Sequence, residues 1–445
     1  MMTETVPSIR LDSLHEKGRI GLKAVGEENE LQILDTQTGK VLGCVLKSVN
    51  TPFDLELFWG KGGFMATVLS PEGILYFALP GSQVELPGLK LELEGDIITP
   101  NPRKTPAPPV RQVQQHSIQA TILGAGLATR FERISGNSTH CSKPGVPLVG
   151  SQTVIECIAN HLAWHGFKRI IVNTFFKPES VKTSLARSKA ETVLYLDEKE
   201  PSGTAGGLRK MLTLPEYVDF LDLTKPLLVV QGDAVTDADF SLLMEAHIRE
   251  KALLTLGCQP VAEEDVDKFG IIVTDASGAD GQSGNITEFQ EKPSRAEAKS
   301  FLGNTGFYIF SPQAYPLIQT IYEELLANAR EKARLEGKPA PDEVSFDFAM
   351  DIFPRVLAYV KKHPEAGKMW AQMVPGYWSD IGNPRQYIES IHDIYAGKVN
   401  IPLPEQLERF YRDGVIYWEG TQEIVEREKA ILKGNVVVAK PYSAP

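Results

Sequence analysis

The stretch Ala120-Thr121-Ile122-Leu123-Gly124-Ala125-Gly126-Leu127-Ala128-Thr129-Arg130 decides the fold, because an apolar strand runs straight into a glycine loop and a cation. A second short motif, Ser142-Lys143-Pro144-Gly145-Val146-Pro147, follows after a loop. Glycines after a strand let an anion approach backbone N–H groups, and a helix starting there would add its dipole. With Arg130 and Lys143 as fixed cations, the stretch predicts a site for a triphosphate.

Composition limits the classes of protein that fit. The chain has 445 residues, 42% hydrophobic and 23% charged, which indicates two or three ordinary globular domains. A net charge of −11 argues against a nucleic-acid-binding surface. The four cysteines form no CxxC pair, so neither a zinc site nor a disulfide framework is indicated. No signal-like or membrane-length apolar run was found, so we expect a cytoplasmic protein with no membrane partner.

Four segments are predicted along the chain. Residues 1–98 contain short strands separated by turn residues, which is typical of a small all-β domain. Residues 99–116 form a proline-rich linker. Residues 117–398 alternate strands and helices, which predicts an α/β domain built on a mixed, mainly parallel sheet. The tail, 399–445, contains one apolar segment that fits either a vestigial β-helix rung or a single edge strand.

The glycine loop has two familiar alternatives, and neither fits. A dinucleotide-binding fingerprint would need Gly or Ala at position 129, where Thr129 stands, and the next strand ends at Asn173 without a ribose-binding acid. A P-loop would need Gly-Lys-Ser/Thr, which is absent. A tight turn alone would explain the glycines, but Arg130 directly after them favours phosphate binding.

Two aspartates are the candidate metal ligands. Asp233 ends the apolar strand Val229-Val230-Gln231-Gly232, at the edge of the sheet where α/β proteins bind ligands. Asp380 lies in Trp378-Ser379-Asp380-Ile381-Gly382, far along the chain. Mg²⁺ takes one or two protein carboxylates and completes its shell with phosphate oxygens and water. Alone, Asp233 fits a helix cap equally well and Asp380 a turn.

A second anion site is predicted from Phe289-Gln290-Glu291-Lys292-Pro293, where Lys292 could hold a phosphate and Glu291 could accept sugar hydroxyls. Asn304 in Asn304-Thr305-Gly306 could add a donor, although a strand end and a turn would also explain both segments. His161 and His165 share a helical face without a third ligand and are interpreted as structural. No Gly-x-Ser-x-Gly elbow indicates a covalent nucleophile.

Taken together, the motifs resemble the sugar-1-phosphate nucleotidyltransferases, over residues 117–398. The resemblance rests on the two opening motifs and on Ser202-Gly203-Thr204-Ala205-Gly206-Gly207, Gly232-Asp233, Phe269-Gly270, Glu291-Lys292-Pro293, Asn304-Thr305-Gly306 and the segment around Asp380. It implies a Rossmann-like catalytic domain. It also implies that a sugar 1-phosphate attacks the α-phosphorus of a nucleoside triphosphate, releasing pyrophosphate and giving a nucleotide sugar.

The resemblance assigns roles residue by residue. Arg130 and Lys143 would hold the triphosphate, and Asp233 and Asp380 would bind Mg²⁺. The remaining assignments are nucleotide contacts at Gly124, Ala125, Gly126, Gly203, Thr204, Ala205 and Gly206, and sugar-phosphate contacts at Gly270, Glu291, Lys292, Asn304 and Trp378. The partners would be a nucleoside triphosphate and a sugar 1-phosphate, with no nucleic acid; a homo-oligomer is left open.

The sequence also departs from the family pattern. Arg133 stands where the family usually has proline, and Ser135-Gly136-Asn137-Ser138-Thr139 resembles an insertion before Lys143. The first expected pair of substrates is UTP with glucose 1-phosphate, followed by GTP with mannose 1-phosphate and then dTTP or ATP. A non-catalytic regulatory subunit that binds a nucleotide sugar is the alternative class, and a nicotinamide-dependent oxidoreductase is disfavoured by Thr129.

Overall fold

The computed structural model describes residues 119–126, 142–149, 152–382, 384–395 and 398–401, together with the remaining strands given below. The strands before residue 119 are β1 Ile20–Val25, β2 Glu30–Asp35, β3 Val41–Lys47, β4 Asp54–Gly60, β5 Gly63–Leu69, β6 Leu75–Ala78, β7 Gln83–Leu86 and β8 Leu89–Leu93. Those that follow are β9 Gln119–Leu123, β10 Pro147–Val149, β11 Gln152–Thr153, β12 Arg169–Thr174, β13 Thr192–Asp197, β14 Leu227–Gln231, β15 Ala234–Thr236, β16 Ala252–Pro260, β17 Gly270–Thr274, β18 Gly284–Glu291, β19 Leu302–Phe310, β20 Lys368–Met373, β21 Trp378–Asp380, β22 Val415–Tyr417, β23 Ile431–Lys433 and β24 Val436–Ala439.

The α-helices are α1 Val154–Trp164, α2 Pro178–Leu185, α3 Gly206–Thr213, α4 Pro215–Val218, α5 Phe240–Arg249, α6 Ala314–Leu335, α7 Phe353–Lys362 and α8 Pro384–Tyr395. Among the described residues, three short 3₁₀ helices cover Lys143–Gly145, Glu263–Lys268 and Pro364–Ala366, and a π-helix covers Phe348–Ile352. In the part of the chain that the structure describes, no helix is long and apolar enough to cross a membrane. The cytoplasmic location stays a prediction.

By its contacts the chain divides into two compact units. The first comprises residues 1–106, 128–157 and 381–445, and the second comprises residues 107–127 and 158–380. The predicted domain borders at 98, 116 and 398 remain predictions.

The second unit is built on one mixed sheet, whose nine described strands run in the order β13-β12-β9-β14-β19-β16-β20-β18-β17. Parallel neighbours are β13–β12, β12–β9, β9–β14 and β16–β20. Antiparallel neighbours are β14–β19, β19–β16, β20–β18 and β18–β17. The expectation of a mixed, mainly parallel sheet agrees with these pairings, since seven of the nine described strands run in one direction and β18 and β19 run in the other.

The core lies on both sides of this sheet. β9 is buried throughout, and β14 is buried from Leu227 to Val230. Strands covered on both faces read as continuous apolar runs rather than as an alternation, which is why the sequence located them. Helices α1, α3 and α5 confirm the predicted alternation of strands and helices in this part of the chain.

In the first unit, the described strands form two further large sheets. One has the order β1-β2-β3-β8-β7-β23 and the other β22-β24-β6-β5-β4. Strands of the tail complete both sheets, since β23 pairs antiparallel with β7 and β24 antiparallel with β6. Within the tail itself, β22 pairs parallel with β24. The interpretation of the tail as a vestigial β-helix rung or as a single edge strand stays a prediction. The pairings place the tail strands in the same unit as the strands near the start of the chain.

Candidate active site

The glycine loop lies where the order of the sheet reverses. From β9 the chain continues to β12 and β13 on one side and then returns to β14 on the other. The three central strands end together, since Leu123 lies level with Asn173 of β12 and with Gln231 of β14. Open α/β sheets bind ligands in the crevice at such a reversal, outside the carboxyl ends of the strands.

Within this loop the backbone rises from the core to the surface. Gly124 is buried, Ala125 is half-buried and Gly126 is exposed. The N–H of Gly124 donates to the main-chain oxygen of Asn173 at 3.1 Å and to its side-chain Oδ1 at 2.9 Å. Around Gly126, a Cβ would meet no atom within 4 Å. The exposed end of the loop is therefore open for a ligand, while its base is held by Asn173.

Asp233 is brought to this loop by the glycine before it. The N–H of Gly232 donates to the carbonyl of Leu123 at 2.8 Å, and a Cβ on Gly232 would lie 2.8 Å from that oxygen and 3.3 Å from Cα of Gly124. Only glycine fits so close an approach of two backbones. The half-buried Asp233 consequently follows directly on the contact between β14 and the glycine loop.

Asp380 reaches the same place through a two-stranded ribbon. β15 and β21 pair antiparallel, with Ala234 directly opposite Asp380. Cα atoms of such opposed residues are about 4.5 to 5.5 Å apart. Asp233 directly precedes Ala234, so its backbone is one residue away from the position that faces Asp380. The predicted ligands therefore occupy neighbouring backbone positions, although 380 − 233 = 147 residues separate them in sequence.

This donor set fits Mg²⁺. Two carboxylates leave most of an octahedral shell to phosphate oxygens and water, as is usual for nucleotide-bound magnesium. Within the described residues no group of three or more His, Cys, Asp or Glu side chains could hold a metal. A fully protein-coordinated metal centre is thus not seen in that part of the chain, and the two-aspartate assignment stays a prediction.

The loop from Ser202 to Gly206 is shaped by the segment before the π-helix. Gly203 has φ +87°, and a Cβ there would lie 2.3 Å from the carbonyl oxygen of Phe346. Thr204 is exposed, and its hydroxyl donates to Oδ2 of Asp347 at 2.6 Å. Ala205 and Gly206 are buried. Of the four residues expected to contact the nucleotide here, Gly203 and Thr204 alone offer solvent-accessible surface.

The predicted sugar-phosphate residues are brought together around the ends of β17 and β18. Gly270 lies directly opposite Glu291. Lys292 has φ +46°, its N–H donates to the carbonyl of Phe269 at 3.2 Å, and its ammonium lies 3.4 Å from Glu291. A left-handed backbone is unusual for lysine and marks a constrained position. The side chain of Lys292 is 59% exposed, so it can reach an anion from solvent.

Trp378 connects this group to the aspartates. Its ring lies 5.2 Å from that of Phe269, centroid to centroid. It begins the strand β21 that ends at Asp380. Its Nε1 is buried and has no hydrogen-bond partner in the structure as described. Strand β21 therefore joins the predicted sugar side to the predicted metal side.

Asn304 is oriented by a residue that the sequence did not single out. Its Nδ2 donates to the hydroxyl of Tyr308 at 2.9 Å, and its Oδ1 accepts from the N–H of Gly306 at 3.2 Å. Burial raises the pKa of Tyr308, and the negative charges of Asp347 and Glu291 raise it further, so the phenol stays neutral. Tyr308 thus orients Asn304 by accepting a hydrogen bond from its carboxamide. An aromatic residue in an apolar strand gives no sequence signal for this role.

Neither of the two predicted triphosphate cations belongs to the described part of the second unit. Arg130 lies outside the described residues, as does the insertion 135–139. Lys143 begins the 3₁₀ helix Lys143–Gly145 and belongs to the first unit. Their role on the triphosphate remains a prediction.

The histidine interpretation agrees with the contacts. His161 and His165 are buried, and their rings meet edge to face at 4.7 Å between centroids. Nε2 of His161 bonds the carbonyl of Ala238, and Nδ1 of His165 bonds the hydroxyl of Ser241. These contacts join α1 to the segment at α5, which is a structural role.

The chain is similar to a known protein family and to several curated proteins. The profile of the nucleotidyl transferase family matches residues 119–397. A UTP–glucose-1-phosphate uridylyltransferase from Synechocystis is 28% identical over 301 residues, covering 64% of this chain and 66% of that protein. A glucose-1-phosphate adenylyltransferase from Thermotoga maritima is 27% identical over 285 residues, covering 61% and 59%. The chain thus spans less than two thirds of the length of these relatives.

Among solved structures, one of UDP-glucose pyrophosphorylase complexed with UDP-glucose aligns with a TM-score of 0.46 and 16% identity. The alignment covers 63% of this chain and 98% of that one.

Proposed function

Since the chain belongs to the nucleotidyl transferase family, we propose that it transfers a nucleotidyl group from a nucleoside triphosphate to a sugar 1-phosphate in the presence of Mg²⁺. The products are a nucleotide sugar and pyrophosphate. The names of the curated relatives, a uridylyltransferase and an adenylyltransferase of glucose 1-phosphate, support this class of reaction.

One observation carries the proposal. Strand β21 runs from Trp378, in contact with Phe269 beside the Lys292 turn, to Asp380, which faces the residue after Asp233. One short strand therefore carries a residue expected on the sugar side, Trp378, and a residue expected at the metal, Asp380. That strand pairs with β15, which directly follows the contact with the glycine loop. Such an arrangement suits a reaction in which two anions must be aligned.

The residues act by positioning and by charge. Lys292 would neutralise the sugar phosphate, whose oxygen attacks the α-phosphorus in line while pyrophosphate leaves on the opposite side. Backbone N–H groups of the glycine loop would face the triphosphate. Asp233 and Asp380 would hold Mg²⁺, which offsets the charge that develops on the phosphates. No general base is needed, because the attacking phosphate is already ionised at pH 7.

For the substrates, we propose UTP and glucose 1-phosphate first. GTP with mannose 1-phosphate remains the next pair from the sequence motifs. The names of the relatives give ATP with glucose 1-phosphate a stronger claim than the sequence alone did. The exposed surface at Gly203 and Thr204 is where we expect the base to be read.

The test is release of pyrophosphate in a matrix of four nucleoside triphosphates against a panel of sugar 1-phosphates, with and without Mg²⁺. We expect turnover with one preferred pair and none without a divalent cation. If no pair turns over while a nucleotide sugar binds, the chain is the non-catalytic subunit instead.

A further inference from the structure

A buried polar network lies behind the glycine loop, and it starts at Asn173. This residue is the last but one of β12 and is 3% exposed. Its carboxamide is used on both sides, since Oδ1 accepts from the N–H of Gly124 at 2.9 Å and Nδ2 donates to Oε1 of Glu198 at 2.8 Å. Asn173 thus ties the base of the glycine loop to a carboxylate.

Glu198 continues the network to the next loop. Its side chain is 1% exposed, and its Oε2 accepts from the N–H of Ser202 at 3.2 Å and from the hydroxyl of Ser202 at 2.5 Å. The ammonium of Lys210 lies 3.7 Å away and supplies the opposite charge. A buried carboxylate is tolerated only when it is hydrogen-bonded and paired in this way.

The glycines of the neighbouring motif follow from this packing. A Cβ on Gly207 would lie 2.4 Å from Nδ2 of Asn173 and 3.0 Å from Oε1 of Glu198. A Cβ on Gly206 would lie 2.4 Å from the hydroxyl of Ser202. The Gly206-Gly207 pair therefore leaves room for the network, in addition to starting α3.

From these contacts we infer that Asn173 and Glu198 are positioning residues, which fix the glycine loop 124–126 and the loop 202–205 in one arrangement before the nucleotide binds. The inference rests on the proposed function, because it assigns these two loops to one nucleotide. Two loops held by a satisfied buried network lose little freedom on binding, which strengthens affinity without any contact to the ligand.

This role has a signature that a direct contact to the base would not have. Because the network acts on the shape of both loops, its loss should weaken the binding of every nucleoside triphosphate by a similar factor. Gly124 is one end of the network. Inorganic tripolyphosphate has no base, and its binding should therefore weaken as well. The sugar 1-phosphate, expected around Lys292, should be affected little.

The experiment compares Glu198→Ala, Asn173→Ala, the double variant and the conservative Glu198→Gln, with Glu200→Ala as the matched control on an exposed glutamate of the same segment. The measurements are KM for each nucleoside triphosphate, KM for the sugar 1-phosphate, and the inhibition constant of tripolyphosphate. Each alanine variant should raise the nucleotide KM and the tripolyphosphate constant about 10- to 100-fold. The KM for the sugar 1-phosphate should stay within about 2-fold of that of the unaltered protein, because this substrate is expected around Lys292.

Further outcomes sharpen the test. The double variant should be no worse than the more severe single variant, because both cut the same connection. Glu198→Gln, which keeps size and one acceptor, should recover part of the affinity. A loss confined to one nucleobase would make Glu198 a base contact and overturn the inference, as would an equal rise in both KM values.

Failure of the proposed function would be visible separately. In that case the unaltered protein turns over no pair of substrates in the same assay. Binding of tripolyphosphate, measured by calorimetry, then still compares the variants with the unaltered protein, and equal binding, or none in either, would overturn the positioning role.

Discussion

The two edges of the large sheet hold polar side chains in opposite ways. At the edge where the parallel strands begin, His247 is buried and both ring nitrogens have partners, Thr255 at 2.8 Å and Ser311 at 2.9 Å. At the edge where they end, Asp233 is half-buried and Lys292 is exposed in a left-handed turn. One edge satisfies its polar groups with the protein itself, and the other keeps charges within reach of a ligand. Substitutions should therefore change stability at the first edge and activity at the second.

The largest effect is expected from Asp233→Asn. Removing one carboxylate charge beside the phosphates should lower kcat by at least about 100-fold, since metal and electrostatic stabilisation of the developing charge would be weakened. The thermal midpoint should change little, because the residue is only half-buried. Pyrophosphate release at saturating substrates and Mg²⁺, together with a thermal unfolding curve, measures both.

A matched control for this substitution is Asp219→Asn, which changes an exposed aspartate after α4. It should keep normal turnover. Near-normal turnover in Asp233→Asn would contradict the metal assignment and remove the main difference between the two edges.

A smaller effect is expected from Lys292→Asn. Asparagine tolerates the left-handed backbone at this position, so the substitution removes the charge with little change in backbone strain. Loss of a charge-assisted hydrogen bond, worth about 1.5 to 3 kcal/mol, should raise KM for the sugar 1-phosphate about 10- to 100-fold. Steady-state kinetics with each substrate varied in turn should show the nucleotide KM nearly unchanged.

Lys299→Asn is the control for the sugar side. Lys299 is similarly exposed, but its ammonium is paired with Glu288 at 2.7 Å. If both variants raised the sugar 1-phosphate KM equally, the effect would come from the net charge of this face and not from Lys292.

What the sequence predicted at the active edge depended on local signals. One apolar strand that ends in Gly-Asp located Asp233, and another that runs into Gly-Ala-Gly located the glycine loop. The pairing of Ala234 with Asp380 was not predictable, since it depends on which distant strand lies beside β15. For the same reason the sequence did not show that β19 runs antiparallel between β14 and β16. A single polar residue at a strand end, such as Asn173, likewise gives no sign of its partner Glu198.

The smallest effect is expected at the other edge, where protonation of His247 should make the free energy of unfolding depend on pH. Burial lowers the pKa of His247 to about 3, whereas in the unfolded chain it is about 6.5. The unfolded state therefore binds the proton more tightly, so this contribution to stability is complete above about pH 6.5 and declines as the pH falls toward 3. Between pH 7 and pH 5 it should amount to about 2 kcal/mol.

Because other groups also titrate in this range, the difference between the protein and His247→Gln is the informative quantity. Glutamine keeps a donor and an acceptor but no titratable ring, so the free energy of unfolding in urea should fall less steeply from pH 7 to pH 5 in the variant. Turnover at pH 7 should stay within about 2-fold of the unaltered protein, since additivity holds for distant sites. Equal slopes would contradict the buried neutral histidine. A large loss of turnover in a folded variant would show that the two edges do not act independently.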